Sequence, residues 1–162
     1  MEMPVDFQII PVSEVLIRVA LASIFGFVLG FERTLARKPL GYRVYMIVCI
    51  ITCLIAVMGL EMNENLQVSD DDEVMLDLGK IISGVLTGIG FLGAGAILHK
   101  GDDHVIGATT GSCIWAAGGL GLLIGFGFYQ TAAIGFAAII FILVVLNRIL
   151  GVFLPGRDLD NE

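Results

Sequence analysis

Two long stretches of this sequence contain no charged residue, and this feature limits the fold more than any other. One runs from Ile81 to Leu98, and the other runs for 43 residues from Val105 to Asn147. About 20 apolar residues span the hydrocarbon core of a bilayer, so both stretches are long enough to cross it. Hydrophobic residues make up 57% of the chain, against roughly 45–50% in soluble domains. The sequence therefore predicts a protein that crosses a membrane several times.

The apolar segments predict an all-α bundle of five transmembrane helices in a single domain of residues 1–162. Polar turns such as RKPLG and KGDDH end these segments, and their length favours helices over strands. The predicted spans cover approximately residues 12–31, 44–60, 81–98, 105–124 and 128–150. Between the second and third spans, an acidic loop is expected at residues 61–79.

The distribution of basic residues beside the spans predicts how the chain is oriented. Arg33, Arg37, Lys38 and Arg43 lie between the first two spans, whereas the loop at residues 61–79 contains seven carboxylates and no basic residue. Basic loops of multi-pass proteins face the cytoplasm. We therefore expect the N-terminus outside, the C-terminus in the cytoplasm, and most of the net charge of −7 on the outer side.

The stretch GIGFLG, from Gly88 to Gly93, has the glycine spacing of a dinucleotide-binding loop. Such a loop follows a strand and opens a helix, whereas this stretch lies in the middle of the third span. At 100° per residue, Gly84 and Gly88 fall on a face of small residues that begins with Asp77 and Lys80. We interpret this face as a surface for close helix packing in a bilayer. The glycines expected at such contacts on the third and fourth spans are Gly84, Gly88, Gly90, Gly93, Gly95, Gly107 and Gly111.

Charged residues within the predicted spans require partners, because a charge at the centre of a membrane helix costs at least about 2.5–3.5 kcal/mol. Arg18 should face the interior of the bundle and pair with Glu14 on its own helix or with Asp77 on another. Glu32 lies at a helix C-terminus, where the macrodipole disfavours a carboxylate by about 0.3–1 kcal/mol. The groups available to hold it are Arg33, Arg43 and a cytoplasmic cation.

Arg18, Glu32, Asp77 and Lys80 are the candidate residues of an intramembrane polar site. If the first and third helices are adjacent, Asp77 and Glu32 mark the outer and inner ends of one polar track, and their carboxylates are candidate ligands for Mg²⁺. A purely structural set of ion pairs is the alternative interpretation. No Ser/His/Asp set or metal-ligand cluster converges in the spans, so we expect no enzyme activity, no resident cofactor and no nucleic-acid partner.

Three segments carry motifs in a recognisable order. They are GFVLGFERTLARKPLGYR at residues 26–43, ISGVLTGIGFLGAGAIL at residues 82–98 and GATTGSCIWAAGGLGLLIGFGFY at residues 107–129. They resemble the MgtC/SapB family of bacterial inner-membrane proteins, whose hallmarks are E-R followed by K-P-A-G-L-R, D-x-x-R before G-I-G-F-L-G-A-G, and G-L-T-T-A-A ahead of a tryptophan. The residues that match these hallmarks are Glu32, Arg33, Lys38, Pro39, Gly41 and Arg43, then Asp77, Gly88, Gly90, Phe91, Leu92, Gly93, Ala94 and Gly95, and finally Gly107, Thr109, Thr110 and Trp115.

The chain departs from the family pattern at several positions. Lys80 replaces the usual arginine, Tyr45 stands at the histidine position, and Gly111 with Ser112 replaces two alanines. Thr109, Thr110 and Trp115 are expected to join the glycines at helix contacts. The chain stops at Glu162, without room for the soluble C-terminal domain of longer members, and so resembles the short, membrane-only branch.

The resemblance implies an inner-membrane protein involved in magnesium homeostasis and adaptation to low magnesium. Two mechanisms remain open. In the favoured one, the protein is a regulator whose glycine-rich faces dock the helices of a membrane-protein partner or of a second copy in a homo-oligomer. In the other, it is a small transporter or channel for Mg²⁺ or another cation, which Asp77 and Glu32 contact. The regulator is favoured because Arg18 and Lys80 would repel cations along such a path unless they are paired.

Overall fold

The structure, a computed structural model, describes residues 9–38, 40–68, 77–99 and 105–146. The helices are α1 (Val12–Leu35), α2 (Tyr42–Val68), α3 (Leu78–Gly95), α4 (Ala108–Gly125) and α5 (Tyr129–Ile140), and α5 continues as a π-helix over Phe141–Leu146. Two short antiparallel strands, β1 (Leu98–His99) and β2 (Val105–Ile106), lie between α3 and α4. The prediction of an all-α, polytopic bundle with five helices is confirmed.

Four of the helices are long and apolar enough to cross a membrane, and the fifth, over Tyr129–Val145, is apolar but shorter. The second helix continues past its predicted end at residue 60 and reaches Val68. Glu61, expected in the acidic loop, is therefore a buried residue of this helix. Its carboxylate accepts a hydrogen bond of 2.6 Å from the backbone N–H of Ile10. Residues 69–76 of the predicted acidic loop and residues 147–150 of the predicted fifth span lie outside the described residues.

Local backbone geometry explains where the helices end. Arg37 has a φ of 54°, and the N–H of Lys38 donates a hydrogen bond of 3.0 Å to the carbonyl oxygen of Arg33, which closes α1. Between α4 and α5, Gly127 has a φ of 83°, a left-handed conformation that glycine adopts without steric cost. The GFGF stretch can therefore reverse the chain within residues 126–128.

The fourth helix forms the centre of the bundle. It packs against α1, α2, α3 and α5, and 61% of its residues are buried, against 11% for α3. A Cβ added at Gly121 would overlap the hydroxyl of Thr52 and the carbonyl oxygen of Cys49, and one at Gly125 would overlap the carbonyl oxygen of Cys53. These glycines let the backbones of α2 and α4 approach closely, which is how helices associate in a membrane.

Candidate functional site

The third helix contacts the bundle with its aliphatic side. Ile89 and Gly93 are its buried residues. The side chain of Ile89 fills the space above Gly118 of α4, where a Cβ would overlap it. A Cβ on Gly93 would lie 3.0 Å from the carbonyl oxygen of Gly111. Gly93 and Gly111, both expected at a helix contact, therefore lie where α3 meets α4.

The opposite side of α3 is exposed and carries small residues. We call these residues the small-residue face of α3: Ser83, Gly84, Thr87, Gly88 and Gly95. A Cβ built on Gly84, Gly88, Gly90 or Gly95 would meet no described atom within 4 Å beyond the adjoining turns of its own helix. Close packing at these four glycines is therefore not formed within the described chain, because the aliphatic side of α3 faces α4 instead.

Two apolar grooves flank the C-terminal half of α3. One has a volume of about 330 Å³, and its lining residues are Gly90, Gly93, Ala94, Ile97, Ala108, Gly111, Ser112 and Trp115. The other has a volume of about 340 Å³, and its lining residues are Leu40, Val44, Phe91, Leu92, Gly95, Ala96 and Ile114. The glycine-rich motif of α3 therefore contributes to the walls of both grooves, and the exposed ring of Trp115 borders the first.

The start of α4 lies against the end of α3. Gly107 has a φ of 95°, and a Cβ there would overlap the carbonyl oxygen of Ala96, so this position requires glycine. Thr110 is buried in the first turn of α4, whereas Thr109 is partly exposed. Gly107 therefore lies against the end of α3, and Thr110 is buried at the beginning of the central helix.

Arg18 is buried, with 7% of its surface exposed, and its guanidinium connects three helices. Its Nη2 contacts Oε1 of Glu14, its Nη1 donates to the carbonyl oxygen of Gly125 at 2.6 Å, and its Nε donates to the Tyr129 hydroxyl at 3.0 Å. The Tyr129 hydroxyl donates to Oε1 of Glu14 at 3.4 Å. Of the two partners considered for Arg18, it contacts Glu14 and not Asp77. We call these four residues the Arg18 cluster.

Glu32 and Arg33 form a second charge pair near the end of α1. Arg33 is 1% exposed, and its Nε and Nη2 donate to the two carboxylate oxygens of Glu32 at 2.5 and 2.9 Å. Arg33 is thus the group that holds Glu32. The ring of Tyr45 lies against Gly30, three residues before Arg33 on α1, and Cys113 is buried in the same hydrophobic cluster as Tyr45. The Tyr45 hydroxyl is buried and has no hydrogen-bond partner among the described residues.

Asp77 and Lys80 pair with each other at the exposed start of α3. Oδ1 of Asp77 caps the helix by accepting a hydrogen bond of 3.2 Å from the backbone N–H of Lys80, and Oδ2 lies 3.7 Å from Nζ of Lys80. No extensive contact joins α1 to α3 in the described part of the chain, since α2 and α4 are the helices that both pack against. The condition for one polar track from Asp77 to Glu32 is therefore not met. No group of three or more metal-ligating side chains occurs within residues 9–38, 40–68, 77–99 and 105–146.

The first family motif lies on the turn between α1 and α2. Lys38, Gly41 and Arg43 belong to this turn and to the first residues of α2, and Pro39 lies outside the described residues. The backbone N–H of Tyr42 donates to the Thr34 hydroxyl at 3.2 Å, which connects the two helix ends. Arg43 is exposed and lies over the Tyr42 ring, with Cζ 6.0 Å from the ring centroid.

Three residues at these two charged sites were not predicted from the sequence: Gly125, Tyr129 and Tyr45. Gly125 ends α4, and the unpaired carbonyl groups of a helix C-terminus attract cations, so its position was a usable signal. Tyr129 had no such signal, because only the tertiary fold brings it to Arg18. Tyr45 was marked only by its departure from the family motif.

Comparison with known proteins agrees with the motif order. A family model described as the MgtC family matches residues 19–151. SapB of Bacillus subtilis strain 168 is 35% identical over 142 residues, which cover 88% of this chain and 57% of SapB. YhiD of Escherichia coli K12, whose name proposes a magnesium transporter, is 31% identical over 137 residues, which cover 85% of this chain and 62% of YhiD. MgtC of Salmonella typhimurium LT2 is 29% identical over 111 residues, which cover 68% of this chain and 43% of MgtC.

No solved structure matches the chain. The chain spans between 43% and 62% of the length of these three relatives. The family model nevertheless covers most of the sequence and includes the Glu32–Arg33 pair, both sides of α3 and the start of α4. On this match and on the identity to SapB, the chain belongs to the MgtC family.

Proposed function

We propose that this protein acts in the bacterial inner membrane as a regulator in magnesium homeostasis, through contacts between its helices and those of a membrane partner. The family match supports the magnesium part of the proposal, as does the relative whose name proposes magnesium transport. The basic turn between α1 and α2 favours an orientation with this turn in the cytoplasm and the N-terminus outside. The regulatory part of the proposal rests on the small-residue face of α3.

The small-residue face of α3 has the properties of a helix-docking surface. Gly84 and Gly88 leave the backbone open at successive turns, and Ser83 and Thr87 place exposed hydroxyl groups beside them. Apolar burial does not drive helix association within a bilayer, because lipid tails are as apolar as leucine. Close backbone approach and interhelical hydrogen bonds drive it instead, and this face offers both.

Cation transport finds less support in the charged groups. Both carboxylate oxygens of Glu32 already accept hydrogen bonds from the buried Arg33. Mg²⁺ binds through carboxylates together with retained waters, so an ion at Glu32 would lie beside the positive charge of that guanidinium and be repelled by it. Asp77 is engaged as a helix cap at the start of α3.

The docking proposal is tested by site-specific photo-crosslinking in native membranes. A photoreactive phenylalanine analogue at Phe91, one turn after Gly88, is compared with one at Phe141 after α5, because both rings are exposed and their replacement adds little bulk. We expect a defined crosslinked species from Phe91 and none from Phe141. Equal crosslinking from the two positions would contradict the proposal, since it would indicate random collisions in the bilayer.

The transporter alternative is tested by magnesium flux into liposomes that contain the purified protein. We expect no flux above that of protein-free liposomes. If flux occurs and either Glu32→Gln or Asp77→Asn abolishes it, the protein is a transporter and the regulatory proposal is wrong.

A further inference from the structure

The turn between α1 and α2 is strongly basic in an otherwise acidic protein. Arg37 and Lys38 lie in the turn, and Arg43 is the second residue of α2. The sequence has no acidic residue between Glu32 and Glu61, although the whole chain carries a net charge of −7. Glu32 does not neutralise the turn, because Arg33 occupies its carboxylate. A positive surface of this kind, placed between two membrane spans, faces the head groups of one leaflet.

Two arginine side chains on this turn are available to a ligand. Arg37 and Arg43 are exposed, and neither contacts a carboxylate of the described residues. The hydrogen bond from the N–H of Tyr42 to the Thr34 hydroxyl fixes the start of α2 against the end of α1. The backbone segments that carry Arg37 and Arg43 therefore lie at the same end of the bundle. The planar guanidinium forks of both arginines match a phosphate group, which they can bind with two parallel hydrogen bonds.

An aromatic strip runs from this basic turn along the lipid-facing side of α1. The rings of Phe27 and Phe31 stack with centroids 5.4 Å apart, and Tyr42 meets Phe27 edge-on at 5.6 Å. Phe27 and Phe31 are 39% and 45% exposed, although they belong to a membrane span. At about 1.5 Å of rise per residue, they lie roughly 9–15 Å from Arg37 along the helix, at the depth of the upper acyl chain. The exposed arginines and the exposed aromatic strip therefore form one continuous surface.

We propose that this surface binds one anionic phospholipid, with the phosphate group held by Arg37 and Arg43 and an acyl chain lying along Phe27 and Phe31. Charge complementarity selects an anionic lipid over a zwitterionic one. The aromatic strip selects a lipid over a free phosphate ion, because the ion has no apolar part to cover it. The inference depends on the membrane position of the turn and not on the proposed role in magnesium homeostasis.

The proposal is tested by native mass spectrometry of the full chain in micelles with equal amounts of phosphatidylglycerol and phosphatidylethanolamine. We expect the wild type to retain phosphatidylglycerol preferentially, and the double variant Arg37→Gln/Arg43→Gln to lose roughly tenfold or more of this preference. The double variant Arg37→Lys/Arg43→Lys should retain part of it. Lys80→Gln is the matched control, since it removes an exposed positive charge at the start of α3. Unchanged retention in the Arg→Gln double variant, or an equal loss in the control, overturns the proposal.

A second measurement needs only the wild-type protein. An arginine-specific reagent is applied with phosphatidylglycerol, with phosphatidylcholine or with inorganic phosphate, and the modified residues are mapped. We expect phosphatidylglycerol to protect Arg37 and Arg43, and phosphatidylcholine to leave them reactive. Protection by inorganic phosphate at the same concentration would show a simple anion site, and modification at the same rate in all three samples would show no site. Either of these results overturns the assignment to a phospholipid.

Discussion

At the scale of single residues, two buried arginines carry positive charge inside the bundle, and each is neutralised by its own helix. Arg18 contacts Glu14 one turn earlier, and Arg33 holds the adjacent Glu32. Local pairing of this kind can form as soon as the helix forms in the membrane, before any tertiary contact. The Arg18 cluster then adds Gly125 and Tyr129, so the same guanidinium also fixes how α4 and α5 meet α1.

The Arg18 cluster predicts a non-additive pair of substitutions. Glu14→Met leaves a buried guanidinium without its carboxylate, and we expect it to lower the free energy of unfolding, though by less than for a fully buried pair because the Glu14 side chain is 42% exposed. The double variant Glu14→Met/Arg18→Met removes both charges, so it should be less destabilised than the sum of the two single variants. Denaturation of each variant in detergent measures these differences. Strict additivity would show that the contact contributes no coupling energy.

Removing the unpartnered Tyr45 hydroxyl should not destabilise the protein, in contrast to removing the Glu14 carboxylate. A buried polar group without a hydrogen bond costs about 1–3 kcal/mol, so Tyr45→Phe should leave the melting temperature unchanged or raise it. Thr52→Val is the control, because the Thr52 hydroxyl donates to the carbonyl oxygen of Val48 at 2.9 Å and contacts α4. It should lower the melting temperature. A fall for Tyr45→Phe would mean that this hydroxyl has a partner, such as a water molecule near Arg33.

At the scale of helices, α3 has two sides with different requirements. Its contact with α4 places the backbones of Gly93 and Gly111 against each other, and a Cβ on Gly111 would lie 2.6 Å from the carbonyl oxygen of Gly93. Backbone atoms cannot move aside as a flexible side chain can. On the outer side, Gly84 and Gly88 have open space. The same residue type therefore has a different role on each side of one helix.

Alanine substitutions should separate these two roles. Gly111→Ala should destabilise the protein, because α3 and α4 must move apart, whereas Gly84→Ala should stabilise the isolated protein by up to about 1 kcal/mol through helix propensity. Thermal unfolding in detergent measures both changes. A destabilising effect of Gly84→Ala in monomeric protein would indicate a contact of this glycine within the chain. The packing account of the α3–α4 contact fails if Gly111→Ala unfolds at the wild-type temperature.

The helices could be predicted from the sequence, but the inward side of α3 could not. Long uncharged runs predict spans because the cost of unpaired charge in hydrocarbon is large. Inside a bilayer, however, polarity does not distinguish the packed side of a helix from the lipid-facing side. The sequence favoured the glycine side around Gly88 as the packed one, whereas within the described chain α3 packs with its aliphatic side around Ile89. Glu14 could be predicted as the partner of Arg18 because it lies on the same helix, whereas Tyr129 depends on contacts across the chain.

At the scale of the whole molecule, the charged groups lie at separate places in the bundle. The Arg18 cluster connects α1 with the turn between α4 and α5, the Glu32–Arg33 pair lies at the opposite end of α1, and Asp77 caps α3. No group of three or more metal-ligating side chains forms among the described residues. This arrangement suits a scaffold that fixes helix positions, with α3 and the basic turn left as its free surfaces.

The proposed orientation predicts which cysteine substitutions an impermeant reagent can reach. The native Cys49, Cys53 and Cys113 are buried, so the wild-type protein should give little background. Gly41→Cys marks the basic turn, and Lys80→Cys marks the start of α3; both positions are exposed, and neither substitution weakens the charge bias that favours this orientation. In intact spheroplasts, an impermeant maleimide should label Lys80→Cys and not Gly41→Cys.

Permeabilising the membrane provides the control for this labelling, since both cysteines should then react to a similar extent. Labelling of Gly41→Cys alone in intact spheroplasts would reverse the orientation, and partial labelling of both would show that the chain inserts in two directions. In either case the basic turn would face the outer leaflet in some or all molecules. The regulator and the phospholipid site would then have to act from the other side of the membrane.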